Sequence, residues 1–201
     1  MKLIVLDMMK FNILFLFILF FSANILSAQL KYEKEFRIRK TQFPEKALVL
    51  VQEKLTDAKR LKFYKEIDGN KTRFGLKFKK DRLWYSIEFT GEGNLENVKI
   101  QIQDIDILDE SYAQIVAYLK QNFSSYKIKK IQQQYIANGS TDEILKTAFQ
   151  NLITPHIKYP LVVRAKKDTN GFKEYKILFN AEGKCISSRK SLPPNYDHIL
   201  Y

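Results

Sequence analysis

Apolar and polar residues alternate with period two over long stretches of this chain, and in three places the apolar spacing lengthens to that of a helix. Ala47, Leu48, Val51 and Leu55 recur at helical spacing behind Pro44, which predicts a helix over 44–57. Four strand-like runs follow. Leu61, Phe63 and Ile67 alternate with Lys62, Tyr64 and Glu66; Phe74, Leu76 and Phe78 alternate with Arg73 and Lys77. Leu83, Tyr85, Ile87 and Phe89 oppose Trp84, Ser86 and Glu88, and Val98, Ile100 and Ile102 close the series. Asp68-Gly69-Asn70, Lys79 to Arg82 and Gly91 to Asn94 supply the turns. Ahead of this unit, Phe36 and Ile38 fit a short edge strand within the charged segment 29–43.

The grammar then repeats. An acidic linker, 104–110, leads to Ser111, read as the cap of a helix carrying Tyr112, Ile115, Val116, Leu119 and Phe123. A strand from Tyr126 to Tyr135 follows, then Asn138-Gly139-Ser140 and an additional helix from Asp142 to about Ile153, an insertion at 141–154. Strands at 161–165, 173–179 and 184–190 complete the second unit, leaving 191–201 as a tail. Tyr85, Ile87, Phe89, Glu92 and Gly93 coincide with Tyr175, Ile177, Phe179, Glu182 and Gly183 at a constant offset of 90, which suggests duplication. The fold class expected is α+β: two tandem units, 44–103 and 111–190, each a helix plus a four-stranded antiparallel meander.

The N-terminus sets the compartment. Lys2 and Lys10 precede an uncharged run from Phe11 to Phe21, then Ser22-Ala23-Asn24-Ile25-Leu26-Ser27-Ala28. About 11 apolar residues are too few to span a bilayer, which takes roughly 20, but suit a secretory signal peptide over 1–28, cleaved after Ala28. The alternative is an uncleaved anchor, lengthened by Ile25 and Leu26. With no cysteine near the cleavage point, a lipidated lipoprotein is excluded. A periplasmic or secreted location follows.

A helix, then a meander whose third strand reads Tyr-x-Ile-x-Phe followed by Glu-Gly, occurring twice behind a signal peptide, resembles the PepSY-like family. These are small exported bacterial proteins with the fold of the β-lactamase inhibitor protein. The resemblance spans roughly residues 36–190 and implies that fold and an exported location, with no enzyme activity. The insertion at 141–154 and the strong basicity depart from the family pattern.

Net charge is +12 over 201 residues, and +11 once Lys2, Lys10 and Asp7 leave with the signal peptide. One cysteine excludes an intramolecular disulfide framework and Cys₂ or Cys₄ zinc sites; Cys185 reads as a small hydrophobe within a strand. His156 and His198 have no acid or nucleophile at a recognised spacing and read as loop residues. Asp104, Asp106, Asp109 and Glu110 lack the glycine and distal glutamate of a calcium loop, so they read as a linker that favours a helix N-terminus. No phosphate-binding glycine loop, Gly-x-Ser-x-Gly or His-Glu-x-x-His motif is present, and no catalytic residue, metal or cofactor is assigned.

Strand alternation directs Lys62, Tyr64, Arg73, Lys77, Trp84 and Lys99 to the face opposite the helix. This joins the only tryptophan to a tyrosine and four cations. Aromatics ringed by Arg and Lys are frequent at binding hot spots. The expected partner is an acidic envelope or extracellular protein, with an anionic envelope polymer or lipid surface as the alternative. Export argues against nucleic acid as a physiological ligand. The plainer reading is a solvated sheet face on which Lys and Arg prevent edge pairing, with Trp84 covered by the second unit.

Overall fold

Among the described residues, nine strands pair in the order in which they occur along the chain. They are β1 (Glu33–Ile38), β2 (Lys59–Asp68), β3 (Lys71–Lys80), β4 (Leu83–Thr90) and β5 (Leu95–Ile102), then β6 (Ser125–Ile136), β7 (Lys158–Lys166), β8 (Lys173–Asn180) and β9 (Cys185–Lys190). Every adjacent pair from β2 to β9 is antiparallel. This computed structural model describes residues 33–68, 71–167 and 171–191. The expected signal peptide over 1–28, residues 69 and 70 of the expected Asp68-Gly69-Asn70 turn, and the end of the expected tail with His198 lie outside the described residues.

Three α-helices lie among the strands in the described residues: α1 (Glu45–Val51), α2 (Asp109–Asn122) and α3 (Thr141–Phe149). The sheet is one continuous surface, because β5 pairs with β6 through Val98↔Tyr135 and Ile100↔Gln133. Apolar residues at alternate positions fill one face. Leu76, Phe78, Ile87, Phe89, Val98, Ile100, Val163 and Phe179 are wholly buried there. Each contributes roughly 2 kcal/mol of burial, and the period of two fixes which face they take.

The helices cover this face in sequence. Ahead of α1, Phe43 meets Phe63, Phe74 and Phe89 edge-on at 5.1–5.8 Å, while Ala47 and Val51 bury the inner side of the helix. α2 buries Ile115 and Leu119 and sets Tyr118 edge-on to Phe179 at 5.4 Å. α3, the insertion, stacks Phe149 on Tyr85 at 4.8 Å, and Tyr85 in turn stacks on Phe78 at 5.3 Å. It therefore packs over strands of the first half of the chain.

Several boundaries differ from expectation for local reasons. α1 ends at Val51 and gives way to a 3₁₀ turn at Glu53–Leu55, short of the expected 57. α2 begins at Asp109, with Leu108 at the N-cap position, so Ser111 is not the cap. Ser111 is buried in the first turn, where its hydroxyl donates to the Ala181 carbonyl at 2.7 Å. α3 stops at Phe149 because Asn151 takes φ 51°. The amides of Asn151 and Leu152 then bond back to Ala148 and Thr147, a Schellman ending. The turn expected over Lys79 to Arg82 tightens to Asp81 and Arg82, both with positive φ, as a two-residue hairpin requires.

Candidate functional site

The second face of the sheet is where strand alternation places the polar residues. Register sets Lys62 beside Lys77, Tyr64 beside Gly75 and Glu66 beside Arg73. It continues as Lys77↔Ser86↔Lys99↔Gln134, and one row away as Trp84↔Gln101↔Gln132. No register shift occurs at Arg82-Leu83, so Trp84 keeps the side opposite Tyr85. Lys62, Tyr64, Arg73, Lys77, Trp84 and Lys99 thus share one face. Trp84 and Tyr64 are both partly exposed there.

Charge on this face is more balanced than a list of cations implies. The Arg73 Nε lies 2.9 Å from Glu96, and a guanidinium nitrogen of Arg73 lies 3.7 Å from Glu66. Lys77 donates to Glu35 at 2.5 Å and stands 4.2 Å from the Tyr64 ring centroid. Lys99 donates to Glu88 at 2.5 Å, and Asn97 donates to the other Glu88 oxygen at 2.8 Å. Burial alone would push the Glu88 carboxyl up, but the Lys99 charge, these hydrogen bonds and Arg73 hold it below the usual carboxylate range.

A hollow of about 210 Å³ lies on this face, lined by Lys62 and Tyr64 of β2, Lys77 of β3, Trp84 and Ser86 of β4, Gln101 of β5, and Lys130 and Gln132 of β6, with Tyr85 contributing. Four of the six expected residues line it. Arg73 and Lys99 do not; their carboxylate partners hold them beside it. The guanidinium carbon of Arg60 stands 5.8 Å from the Trp84 ring centroid. Lys62 and Lys130 have no carboxylate within ion-pair distance among the described residues. Burial lowers the Lys130 ammonium's affinity for its proton, and the charges of Lys77 and Lys99 lower it further against the opposing pull of Glu35 and Glu88.

Lys130, Gln101 and Gln132 were not among the expected residues. Their signal was present, since Ile131 and Tyr135 alternate with Gln132 and Gln134. It points to the first-half site only through the pairing of β5 with β6. A register shift between Ile128 and Lys130 also interrupts the alternation that would have placed Lys130.

The remaining candidates are scattered. His156 is exposed in the loop before β7, and Cys185 is partly buried at the start of β9. Asp104 and Asp106 accept backbone N–H groups of Ile105 and Gln103, so both serve the local turn. Among the described residues, no group of three or more His, Cys, Asp or Glu side chains is placed to hold a metal ion.

Among the described residues, a mostly antiparallel sheet with its helices on one face makes this an α+β protein. Solved structures share the fold. A DUF2874 family protein from Bacteroides ovatus aligns at TM-score 0.50 and 10% identity, covering 73% of this chain and 86% of its own. A periplasmic-protein candidate from Bacteroides eggerthii gives TM-score 0.50 and 10% identity, covering 73% and 88%. A BLIP-like protein from Bacteroides fragilis gives TM-score 0.49 and 11% identity, covering 78% and 92%. At 10% identity, the two alignments at TM-score 0.50 show a likeness of fold alone. No family model and no curated protein matches the sequence.

Proposed function

We propose that this chain is an exported, non-enzymatic binding module that engages an acidic envelope or extracellular protein through its open sheet face. The observation that carries this reading is the hollow in which Trp84 and Tyr64 stand among Lys62, Lys77 and Lys130. A partly exposed indole on a sheet face gains apolar burial when a partner covers it, at about 25 cal/mol per Å² before association costs. Neighbouring lysines orient an acidic partner. The signal-peptide pattern over 1–28 supports export, and the Bacteroides eggerthii neighbour is itself described in periplasmic terms. The test is a pull-down from envelope extract with wild type and Trp84→Ala. A partner retained by wild type and lost by Trp84→Ala supports the reading; equal retention by both removes the anchor.

We also infer that the two helix-plus-meander stretches, 44–103 and 111–190, are tandem copies, the second carrying the α3 insertion. In support, register shifts recur at Glu88/Phe89 and Leu178/Phe179, 90 residues apart. The following hairpins carry Gly93 and Gly183, both with positive φ, whose amides bond back to Thr90 and Asn180.

A second reading, an anionic envelope polymer or lipid surface as ligand, is favoured by Lys62 and Lys130. Neither has a carboxylate at ion-pair distance among the described residues. Salt separates the readings, because polyanion binding falls steeply with ionic strength while an aromatic anchor responds mainly to Trp84→Ala.

A further inference from the structure

We propose that the hollow flanked by Lys62 and Lys130 seats a carboxylated sugar, a uronic acid unit of an anionic polysaccharide. This inference rests on the second reading above and names its ligand class.

Three kinds of chemistry meet in the hollow, and one ligand class uses all of them. Trp84 and Tyr64 supply apolar ring surface against which the C–H groups of a pyranose ring can lie. Gln101 and Gln132 supply amides, each with two donors and an acceptor, and neither side chain is engaged in a hydrogen bond among the described residues. Hydroxyls that both donate and accept satisfy such amides, whereas a carboxylate alone leaves their N–H and C=O groups only half used. An acidic peptide side chain therefore fits this hollow less fully than a polyol does.

Charge selects the anion. Four ammonium groups, Lys62, Lys77, Lys99 and Lys130, stand on this part of the face, and Glu35 and Glu88 neutralise Lys77 and Lys99. Lys62 and Lys130 keep unpaired charges among the described residues, on the first and last of the five strands that line the hollow, and the Arg60 guanidinium adds positive charge beside Trp84. A run of linked uronic acids can set a different carboxylate near each of these two lysines. The lining spans β2 to β6, about 19 Å across four strand spacings if the sheet were flat, which suits a short run of linked sugars. The weakened proton affinity of Lys130 is consistent with an ammonium that lacks a counter-charge until a ligand arrives.

Trp84 is the only tryptophan of the chain, so its fluorescence reports occupancy of the hollow directly. The purified protein is titrated with galacturonic acid trimer, with its methyl ester, with a Glu/Asp-rich peptide and with anionic phospholipid vesicles. Calorimetry runs alongside. The expected result is a saturable Trp84 signal with the acid trimer that weakens with salt. The methyl ester should bind about tenfold more weakly, as should the acid trimer to Lys62→Gln or Lys130→Gln, the loss of one charged contact. Lys146→Gln, on α3 across the sheet, should bind like wild type. Equal binding of acid and ester, or no response to the trimer in either measurement, overturns the proposal. Salt-sensitive binding of vesicles without a response to the trimer also overturns it while leaving the anionic-surface reading in place. A response confined to the peptide overturns it in favour of the protein partner.

Discussion

A Cβ built on Gly183 would stand 2.1 Å from the backbone oxygen of Ser111. The β8–β9 hairpin therefore touches the first turn of α2 backbone to backbone, and the Ser111 hydroxyl adds a hydrogen bond to the Ala181 carbonyl in the same turn. Gly183 also has φ 77°, which L side chains adopt only with strain. Gly183→Ala should cost roughly 3 kcal/mol or more, because neither backbone can yield. Its counterpart Gly93 meets the Pro44 Cβ at 3.1 Å and the Ala47 nitrogen at 3.3 Å, so Gly93→Ala should cost less, about 1–2 kcal/mol. Gly139, with nothing within 4 Å, is the control. Urea unfolding of the three variants checks the ranking, and a loss at Gly139→Ala matching that at Gly183→Ala would contradict it.

Much of this packing was legible in the residues. Tyr85, Ile87 and Phe89 had to share a face, and so did the six polar and aromatic residues opposite them, because strand side chains alternate. Gly93 and Gly183 marked the corresponding turns. What alternation does not carry is the identity of the neighbouring strand. That β5 pairs with β6, bringing Lys130 and Gln132 to the site, is a choice of sheet partner made by the whole fold. The ion pairs were hidden similarly. Glu35 is 42 residues from Lys77, and only the sheet brings them together. The buried Gln133 was unreadable as a core residue; it is held by the Tyr135 hydroxyl and by Asn151 and Leu152 beyond α3.

Tyr135 gives the protein an alkaline limit. Burial pushes its phenol up to about 12, with the Gln133 hydrogen bond partly opposing that rise. The folded state thus keeps a proton that the unfolded chain releases above about 10, so stability falls as pH rises from 10 towards 12. The ceiling for this one group is about 2–3 kcal/mol. Tyr135→Phe should lose roughly 1 kcal/mol at neutral pH, because its hydroxyl donates to the Leu152 carbonyl at 2.9 Å. The same variant should flatten the alkaline limb. Thermal melts from pH 8 to 12 test this, and an unchanged alkaline slope would show that other groups set the limit.

Glu88 acts at the opposite end of the pH scale. Its folded-state affinity for a proton is reduced, so its contribution is fully present above the unfolded value near 4.5 and is lost as pH falls through the lower folded value. Glu88→Gln should cost on the order of 1–2 kcal/mol at pH 7, since Lys99 loses a charged acceptor in a half-buried setting. Below pH 4.5 the difference between variant and wild type should shrink. Parallel denaturant curves at pH 7 and pH 3 measure this, and a difference that grows on acidification would reverse the sign argued.

Trp84 and Phe149 stand on opposite faces of the same sheet, and truncating each should have opposite consequences. Phe149 stacks against Tyr85 at 4.8 Å and Phe78 at 6.2 Å, anchoring α3 to the core face. Phe149→Ala should cost about 2–3 kcal/mol, below the full value for a buried Phe because the ring is partly exposed. Binding per folded molecule should stay intact, since Phe149 does not line the hollow. Trp84 projects from the other side and loses mainly its contact with Arg60, a cation over an indole worth about 0.5–1 kcal/mol where exposed. Trp84→Ala should therefore fold within about 1 kcal/mol of wild type while weakening partner binding by the roughly 2 kcal/mol typical of a hot spot. Unfolding curves paired with affinities for both variants resolve the two roles. If Trp84→Ala unfolds the protein, the indole is part of the fold's support, and the proposed binding face has no aromatic anchor at that position.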